Sequence, residues 1–406
     1  MLQKFQVKNF KNFNDNFVFD LTEIKNYEFN TECINDGTVA KALIYGPNGC
    51  GKSNLGRAIF DIKTHLTDNK IDDFYFTNYL NAESTSDYAE FIFTFKFGNS
   101  ILEYSYGKKT VNKIVYEVLK IDDKRVISFD RSKDNLAYID LEGAESLNRN
   151  LGNSDLSAGK DKNILTTVNA GDDLSVVKYV KNNTVLKNNS VNQVLKTFFK
   201  FVEYMDFFRT TDYSEASILI DSVALRRREK DLKKFEHFLN DEVFVKCKLT
   251  IIKIGDEEKL AFDFGNKKIT FFENASTGTI SLTALYLILS ILNGRSEIIA
   301  LEKKLKEKQG KELESVAFFP FVFIDEFDAF YHYAAAKSII KTLKNIKCQA
   351  ILTTHNTNIM SNDLLRPDCY FIMSNTGIKP IYSFTNKELR EAHNIEKMYR
   401  AGVFNE

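Results

Sequence analysis

Hydrophobic and polar residues alternate along much of the first 140 positions of the chain. The N-terminal segments "QKFQVKNF" and "NFVFDL" show this pattern, and so do "YAEFIFTFKF", "ILEYSYG", "KIVYEVLKID", "RVISFD" and "AYIDLE". A period of two residues is typical of strands that bury one face. We therefore predict an N-terminal hairpin at a sheet edge and, from about residue 88 to residue 140, an antiparallel meander.

The pattern becomes helical between about residues 172 and 239. "VNQVLKTFFKFVEYMDFF" and "ALRRREKDLKKFEHFL" carry apolar residues at intervals of three and four, which is the spacing of one helix face. "CKLTIIKIG" and "KLAFDFGNKKITFF" then return to strand. "TISLTALYLILSIL" predicts a helix that is apolar nearly all round, and "EIIALEKKLKEKQGKELE" predicts a second helix that is charged and exposed.

Four short runs are almost wholly apolar and carry glycine or polar residues at their ends: "VAKALIYG", "FVFIDEFD", "AILTTHN" and "CYFIMSN". Strands of a parallel sheet that is covered on both faces have this appearance. The whole pattern predicts an α/β fold with a mixed core sheet, an antiparallel β lobe and a helical insertion. We place the boundaries at residues 1–171, 172–245 and 246–406.

Composition narrows the class of protein. With 406 residues, 44% of them apolar and only 4 prolines, the chain can bury more than one core. Lys+Arg and Asp+Glu balance at 55 each, so no global field draws the chain to nucleic acid or to an acidic membrane. No run reaches the ~18 apolar residues of a membrane helix. The scattered cysteines fit a reducing cytoplasm; they are Cys33, Cys50, Cys247, Cys348 and Cys369.

The segment between "VAKALIYG" and the predicted helix "KSNLGRAIFDIKTHL" matches the pattern G-x-x-x-x-G-K-S in full. Glycines let backbone N–H groups turn around a β-phosphate, Lys52 neutralises β- and γ-phosphate oxygens, and the Ser53 hydroxyl can ligate Mg²⁺. Because a strand precedes and a helix follows, we favour nucleotide binding over an ordinary glycine turn. The predicted ATP-binding residues are Gly46, Asn48, Gly49, Cys50, Gly51, Lys52, Ser53 and Asn54.

Acidic residues and a histidine end two other apolar runs. "FVFIDE" delivers Asp325 to the carboxyl edge of the sheet, where it can hold Mg²⁺, and Glu326 beside it can orient and polarise an attacking water. His355 ends "AILTTH", from where it can reach a γ-phosphate. The predicted catalytic residues are Lys52, Glu326 and His355. The alternative is that "DE" is a solvated strand end and that His355 is an ordinary surface residue.

The segment "NASTGTISLTALYLILSIL" begins with small polar residues and continues into an apolar helix. The start of that helix offers unpaired N–H groups, hydroxyl groups and the positive end of the helix dipole. On the residues alone, a plain helix cap explains the segment equally well.

Taken together, these motifs and their order resemble the ABC-type ATPases of the RecF, SMC and OLD group. The resemblance covers most of the chain and is weakest between about residues 172 and 239. It implies a P-loop fold of the ABC type, ATP and Mg²⁺ as cofactors, and assembly into a homodimer or higher homo-oligomer. "STGT" is similar to the signature loop of soluble members, so Ser276, Gly278 and Thr279 would contact, in trans, the γ-phosphate held by a second copy.

The ends of the sequence, "FQVKNFKNF" and "HNIEKMYRAGVF", resemble the compact ATPases of bacterial anti-phage abortive-infection modules. These include the ATPase subunit of the PARIS system and the ATPases of Septu-like systems. The resemblance implies a cytoplasmic sensor that controls a separate nuclease or toxin effector and responds to a phage trigger protein. The sequence carries no nuclease segment after the His355 strand, so we expect the effector to be another protein.

Two features depart from that group. Its members usually have a glutamine after the P-loop that completes the Mg²⁺ shell, and none of the glutamines here is suitably placed. The residue that substitutes is left open, and turnover could be slow. The helical insertion lacks the sustained heptads of a long coiled coil, so we expect no long-range DNA tethering.

Two other functions stay open. The first is a RecF-like ATPase that binds DNA in repair. Its best candidate surface is a basic run in "ALRRREKDLKK", although the interspersed acids favour a solvated helical face. That run contains Arg226, Arg227, Arg228, Lys230, Lys233 and Lys234. The second alternative is a scaffold in which nucleotide has only a structural role.

Overall fold

A computed structural model describes residues 1–144, 147, 164–166, 175–210, 229–308 and 321–404 of the chain. The strands are β1 (Leu2–Lys8), β2 (Phe17–Asp20), β3 (Ile34–Asn35), β4 (Thr38–Val39), β5 (Lys41–Tyr45), β6 (Ala89–Phe97), β7 (Ser100–Thr110), β8 (Lys113–Ile121), β9 (Lys124–Asp130), β10 (Asp134–Ile139), β11 (Ile164–Thr166), β12 (Asp206–Arg209), β13 (Leu249–Ile254), β14 (Glu257–Asp263), β15 (Lys268–Thr270), β16 (Phe321–Asp325), β17 (Gln349–Thr353), β18 (Tyr370–Met373) and β19 (Ile378–Pro380). The helices are α1 (Lys52–Leu66), α2 (Val176–Asn183), α3 (Ser190–Tyr204), α4 (Glu229–His237), α5 (Phe271–Asn274), α6 (Thr277–Lys308), α7 (Tyr333–Asn345) and α8 (Ile395–Arg400).

The core sheet has six strands in the order β12-β16-β17-β5-β18-β19. Its first five strands are parallel and only β19 is antiparallel. Every residue of β5, β16 and β17 is buried, as expected for strands covered on both faces. The predicted α/β fold with a mixed core sheet is therefore confirmed.

The antiparallel lobe is an eight-stranded sheet in the order β11-β10-β9-β8-β7-β6-β1-β2. Strands β6 to β10 pair with their sequence neighbours, so the predicted meander is confirmed. The N-terminal hairpin lies at one end of this sheet, where β2 forms the edge and β1 is flanked by β2 and β6. Strands β13, β14 and β15 form a separate three-stranded sheet.

The described residues between 175 and 210 are less helical than predicted. Helix α3 ends at Tyr204, and "DFF", which we expected to continue it, forms β12 together with Arg209 beside β16 in the core sheet. The helix predicted over "VNQVLKTFFKFVEYMDFF" is therefore wrong at its C-terminal end. As far as Lys308, the two helices predicted after "NAST" form one helix, because α6 runs unbroken for 32 residues, and the end of the second predicted helix lies outside the described residues. A glycine inside a helix weakens it without having to end it.

A buried ion pair joins α1 to the antiparallel lobe. Lys108 on β7 donates to Asp61 at 2.8 Å, and both side chains have no exposed surface. The hydroxyl groups of Tyr79 and Tyr106 also donate to the Asp61 carboxylate, at 2.7 and 3.0 Å. Because buried charges require partners, these contacts fix the helix that follows the P-loop against the lobe.

The N-terminal strand is attached to the core sheet by one glutamine. Gln349 begins β17, accepts a hydrogen bond from the backbone of Leu2 and donates to the carbonyls of Leu2 and Val39. All of these atoms lie in the interior. The lobe and the core sheet are thus joined through both β1 and α1.

No helix in the part of the chain that the structure describes combines the length and the apolar content needed to cross a membrane.

Gly56 allows α1 to pack closely on the core sheet. A Cβ atom at this position would lie 2.6 Å from the rings of Phe207 on β12 and Phe323 on β16. We expect Gly56→Val to destabilise the protein by about 1–3 kcal/mol, since two buried rings would have to move. A lowered midpoint of urea denaturation would show this. Gly377→Val is the matched control, because nothing lies within 4 Å of its Cβ position, and equal effects of the two variants would contradict the packing argument.

Candidate functional site

Four strands of the core sheet end side by side and bring the predicted site residues to one edge. The pairs Ile44–Thr353, Leu352–Ile324 and Asp325–Arg209 lie next to one another across β5, β17, β16 and β12. The loop 46–51 follows β5, Asp325 ends β16, and His355 lies two residues beyond β17. The parallel register, rather than proximity along the sequence, therefore builds the site.

The loop 46–51 folds tightly over the start of α1. Gly49 and Gly51 have φ values of +79° and +100°, which residues with a side chain rarely adopt. The side chain of Lys52 is 6% exposed, and its Nζ donates to the carbonyls of Gly46 and Pro47 at 2.8 and 3.0 Å. The ammonium group is thus held by the carbonyls of its own loop.

Asn12, in the turn between β1 and β2, forms hydrogen bonds with this loop and with the start of α1. Its side chain donates to the carbonyl of Cys50 at 3.5 Å and accepts from the side chain of Asn54 at 2.6 Å. A Cβ atom on Gly51 would lie 2.3 Å from Asn12. Asn12 was missed in the sequence, although it lies within the segment "FQVKNFKNF" that carries part of the resemblance.

Asp325 is a fully buried carboxylate. Thr353 on β17 donates to its Oδ1 at 2.7 Å, and the same hydroxyl accepts from the backbone N–H of Glu326 at 2.8 Å. Oδ2 has no hydrogen-bond partner among the described residues. A buried carboxylate oxygen without a donor is costly, and it is a suitable ligand for a hard cation such as Mg²⁺.

Glu326 has a left-handed backbone with φ of +50°. This conformation is sparsely populated for residues other than glycine, and it persists where neighbouring contacts fix it. Thr353 holds the Glu326 N–H, and the Thr210 hydroxyl donates to the Glu326 carbonyl. Glu326 is partly exposed at the sheet edge.

The charges at this edge influence one another. Partial burial lowers the pKa of His355, and the nearby Lys52 lowers it further, while Glu326 and Asp325 oppose the shift. The net effect is a lowered pKa, which favours the neutral imidazole. Burial also lowers the pKa of Lys52, against the opposing effect of Cys50, Asp325 and Glu326. Lys52, Asp325, Glu326 and His355 thus lie close enough to influence one another's charge.

Arg209 lies at the same edge and was not singled out in the sequence. It ends β12 opposite Asp325 in the parallel register, and its Nε lies 3.6 Å from Asp325 Oδ2. The sequence offered no signal for this contact, because "MDFF", just before Arg209, was interpreted as the end of a helix. The arginine and the aspartate are 116 residues apart along the chain, and only the formation of β12 brings them together.

The predicted signature residues lie at the start of α6. Ser276 caps the helix, since its Oγ accepts from the Thr279 backbone N–H at 3.2 Å and lies 2.9 Å from the Thr279 hydroxyl. Gly278 lies against Phe330, since a Cβ atom added to Gly278 would be 2.5 Å from the carbonyl oxygen of Phe330. Ser276 is exposed. Among the described residues, no hydrogen bond joins this loop to residues 46–54.

The residues at the edge fit a nucleotide with a divalent cation. Gly49 and Gly51 have the left-handed backbone that lets a loop turn its N–H groups toward a phosphate, and Lys52 can exchange two carbonyl partners for phosphate oxygens. The Ser53 hydroxyl at the start of α1 and the free Oδ2 of Asp325 provide oxygen ligands for Mg²⁺. Of the basic run proposed for DNA, Arg226, Arg227 and Arg228 lie outside the described residues, whereas Lys233 and Lys234 are exposed on α4.

Asp328 provides a pH-dependent contribution to stability near the site. It is 8% exposed and accepts a hydrogen bond from Thr354 at 2.7 Å, and burial raises its pKa to about 6. A raised folded-state pKa means that the folded protein binds more protons than the unfolded chain. The free energy of unfolding therefore falls as the pH rises from about 4 through about 6.

We expect Asp328→Asn to stabilise the protein at pH 7.5 by about 1–3 kcal/mol, because the amide oxygen can still accept from Thr354 without burying a charge. At pH 4 the variant and the wild type should be equally stable. Urea denaturation at several pH values measures this. Asp363→Asn, at an exposed position, is the control and should leave the curve unchanged. A variant that is less stable at every pH would contradict the assignment.

The whole chain can be compared with known proteins. It is similar to the SMC head domain from Thermotoga maritima (13% identity, 94% of this chain and 98% of that chain covered, TM-score 0.41). It is also similar to an Smc head bound to the C-winged helix domain of ScpA (15% identity, 94% and 97% covered, TM-score 0.42). A third is an Smc head with an extended coiled coil from Pyrococcus furiosus (15% identity, 93% and 95% covered, TM-score 0.41).

No curated protein matches the chain. The sequence profile described as "RecF/RecN/SMC N terminal domain" matches residues 1–370, which is most of the chain. The chain therefore belongs to the RecF/RecN/SMC N-terminal domain family, with a P-loop fold of the ABC-ATPase type.

Proposed function

We propose that the chain binds ATP with Mg²⁺ at the edge formed by β5, β17, β16 and β12, and that it hydrolyses the nucleotide. The observation that carries this proposal is the buried, half-satisfied carboxylate of Asp325 beside the backbone-constrained Glu326, at the same sheet edge as Lys52. A structural strand end would not need a buried charge without a hydrogen-bond partner. A nucleotide with its cation supplies the missing partner.

Each residue has a defined task in this mechanism. Lys52 exchanges the carbonyls of Gly46 and Pro47 for phosphate oxygens. Ser53 and Asp325 would hold a Mg²⁺ ion, whose charge would favour the negative charge that develops on the phosphates. Glu326 orients the attacking water and accepts its proton as the γ-phosphoryl group leaves in line. Neutral His355 donates a hydrogen bond to the γ-phosphate.

We further propose that ATP binding assembles two copies, with the signature loop of one closing the site of the other. Ser276 is exposed at the positive end of α6, a 32-residue helix, and a helix start of this kind binds phosphate. Ser276, Gly278 and Thr279 would contact the γ-phosphate in trans. ATP binding and assembly would then be a single event, reversed by hydrolysis.

The cellular role we propose is that of a cytoplasmic sensor in anti-phage defence, which controls a separate nuclease or toxin and responds to a phage trigger. This step rests on the resemblance of the two ends of the sequence. One feature supports a regulatory role for the C-terminal end. Arg400 on α8 donates to Asn358 at 3.0 Å, three residues after His355, so α8 is in contact with the loop that would sense the γ-phosphate.

A RecF-like DNA-binding ATPase is the second candidate. Exposed Lys233 and Lys234 on α4 favour it, since they stand beside a run of three further basic residues in the sequence. Duplex binding that weakens steeply with salt would support this role. Negligible binding at low salt would exclude it.

We expect Lys52→Ala to weaken ATP binding by about tenfold or more, since charge-assisted hydrogen bonds to the phosphates are lost. Glu326→Gln should bind ATP normally and lower turnover by about 10²-fold or more, because the water loses its base. Size-exclusion chromatography with light scattering should then show assemblies with ATP for Glu326→Gln but not for Lys52→Ala. Lys387→Ala, at an exposed position, is the control. A protein that stays monomeric with ATP in every variant would contradict the assembly.

Two inactive variants should restore each other if the site is shared. Lys52→Ala and Ser276→Arg each disable one half of a composite site, whereas a mixed dimer contains one intact site. Equal mixing, after subunit exchange, should recover about a quarter of wild-type ATPase activity, because half of the dimers are mixed and each has one working site of two. If the signature loop acted only within its own chain, the mixture would stay inactive.

A further inference from the structure

A positive side chain lies close to Oδ2 of Asp325, the carboxylate oxygen that has no hydrogen-bond partner among the described residues. Arg209 Nε lies 3.6 Å from Asp325 Oδ2, which is close enough for an ion pair but too long for a hydrogen bond. Both atoms are buried, and neither has a hydrogen-bond partner among the described residues. The pair therefore neutralises charge without the directional bonds that would fix it in place.

A second arginine, Arg57, adds positive charge near Arg209. The Arg57 guanidinium lies 3.6 Å from the centre of the Phe74 ring. Burial lowers the pKa of Arg57, and the neighbouring Arg209 lowers it further. The two guanidinium groups therefore repel each other, while Asp72 and Asp325 both attract Arg57. The Arg57 guanidinium stacks on Phe74, whereas the Arg209 side chain is 29% exposed.

We propose that Arg209 is a displaceable counter-ion of Asp325. Without a divalent cation it neutralises the buried carboxylate, and when nucleotide enters with Mg²⁺ it yields Oδ2 to the metal and pairs with a phosphate oxygen instead. This inference rests on the proposed ATPase function. In this inference Arg209 occupies the position of the glutamine that completes the Mg²⁺ shell in related ATPases. The effect on the metal is opposite, because a positively charged arginine competes with Mg²⁺ for Asp325, whereas a glutamine would ligate it.

The next residue connects this exchange to the catalytic turn. Thr210 follows Arg209, its backbone N–H donates to the Asp325 carbonyl at 3.3 Å, and its hydroxyl donates to the Glu326 carbonyl. Movement of Arg209 therefore pulls on the segment that fixes the left-handed backbone of Glu326. Arg209 thus responds to the arrival of Mg²⁺ and also helps to position Glu326.

The test measures binding of a fluorescent ADP analogue to the full chain, in EDTA and across a magnesium titration. Arg209→Gln and Arg209→Ala should weaken binding in EDTA, since Asp325 would then repel the phosphates. They should also lower the magnesium concentration at half-saturation by about five- to tenfold, because the competing charge is gone. Arg209→Lys keeps the charge and should stay close to the wild type.

The expected combination is weaker nucleotide binding in EDTA and a lower requirement for magnesium. A purely structural role for Arg209 would instead weaken nucleotide binding both in EDTA and in magnesium. Arg390→Gln is the matched control and should shift the magnesium midpoint by no more than about twofold, since this exposed arginine pairs with Glu388 and not with Asp325. Urea denaturation checks that each variant is folded, and the glutamine variant, which retains most of the side-chain length, serves if the alanine variant is not.

An unchanged or raised magnesium midpoint in folded Arg209→Gln that still binds nucleotide would overturn the inference and leave the proposed function intact. If the wild type itself bound no nucleotide, the proposed function would fail instead. The two failures are therefore distinguishable.

Discussion

Asp325 ends a strand whose five residues are all buried, so its charge is removed from water and has to be compensated from neighbouring strands. Thr353 on one side and Arg209 on the other provide that compensation. Both depend on the parallel register of the core sheet, since a shift of one residue in either strand would turn the partner to the opposite face. The position of the carboxylate thus constrains the sheet, and the sheet in turn positions the loop 46–51 and His355.

Buried polar groups with matching partners also hold the two sheets together. Asp61 and Lys108 have no exposed surface, and Gln349 satisfies buried backbone groups of β1 and β4. Removing one partner of such a contact leaves the other without a donor or acceptor in the interior. The antiparallel lobe is therefore coupled to α1, the helix that would carry the phosphate-binding residues, by contacts that permit few alternative arrangements.

Much of the fold could be predicted from the sequence because long signals repeat there. The meander alternates over five strands, and the buried strands of the core sheet are short apolar runs that end in polar residues. The loop 46–51, Asp325 and His355 were found because each follows such a run. β12 was missed because "DFFR" continues the apolar spacing of α3, and four residues carry too little pattern to separate strand from helix.

The contacts that complete the site could not be predicted for a different reason. Arg209 reaches Asp325 only through the pairing of β12 with β16, and Asn12 reaches the loop 46–51 only because the antiparallel lobe packs beside the core sheet. Thr353 was visible as a polar residue at a strand end, but its two hydrogen bonds depend on the left-handed turn at Glu326, which no local propensity for glutamate indicates. Local pattern thus identified the groups that would contact the ligand, whereas the residues that hold them depend on topology.

The contact between α8 and the loop after His355 has a thermodynamic consequence. Arg400 bonds to Asn358, and the Tyr399 ring lies 6.4 Å from the ring of Tyr45 on β5. If nucleotide at the sheet edge alters the order of this loop, the free energy of docking any protein onto α8 must change with it. Linkage is reciprocal, so a protein bound at the C-terminal helix would alter nucleotide affinity by the same factor without touching the phosphates.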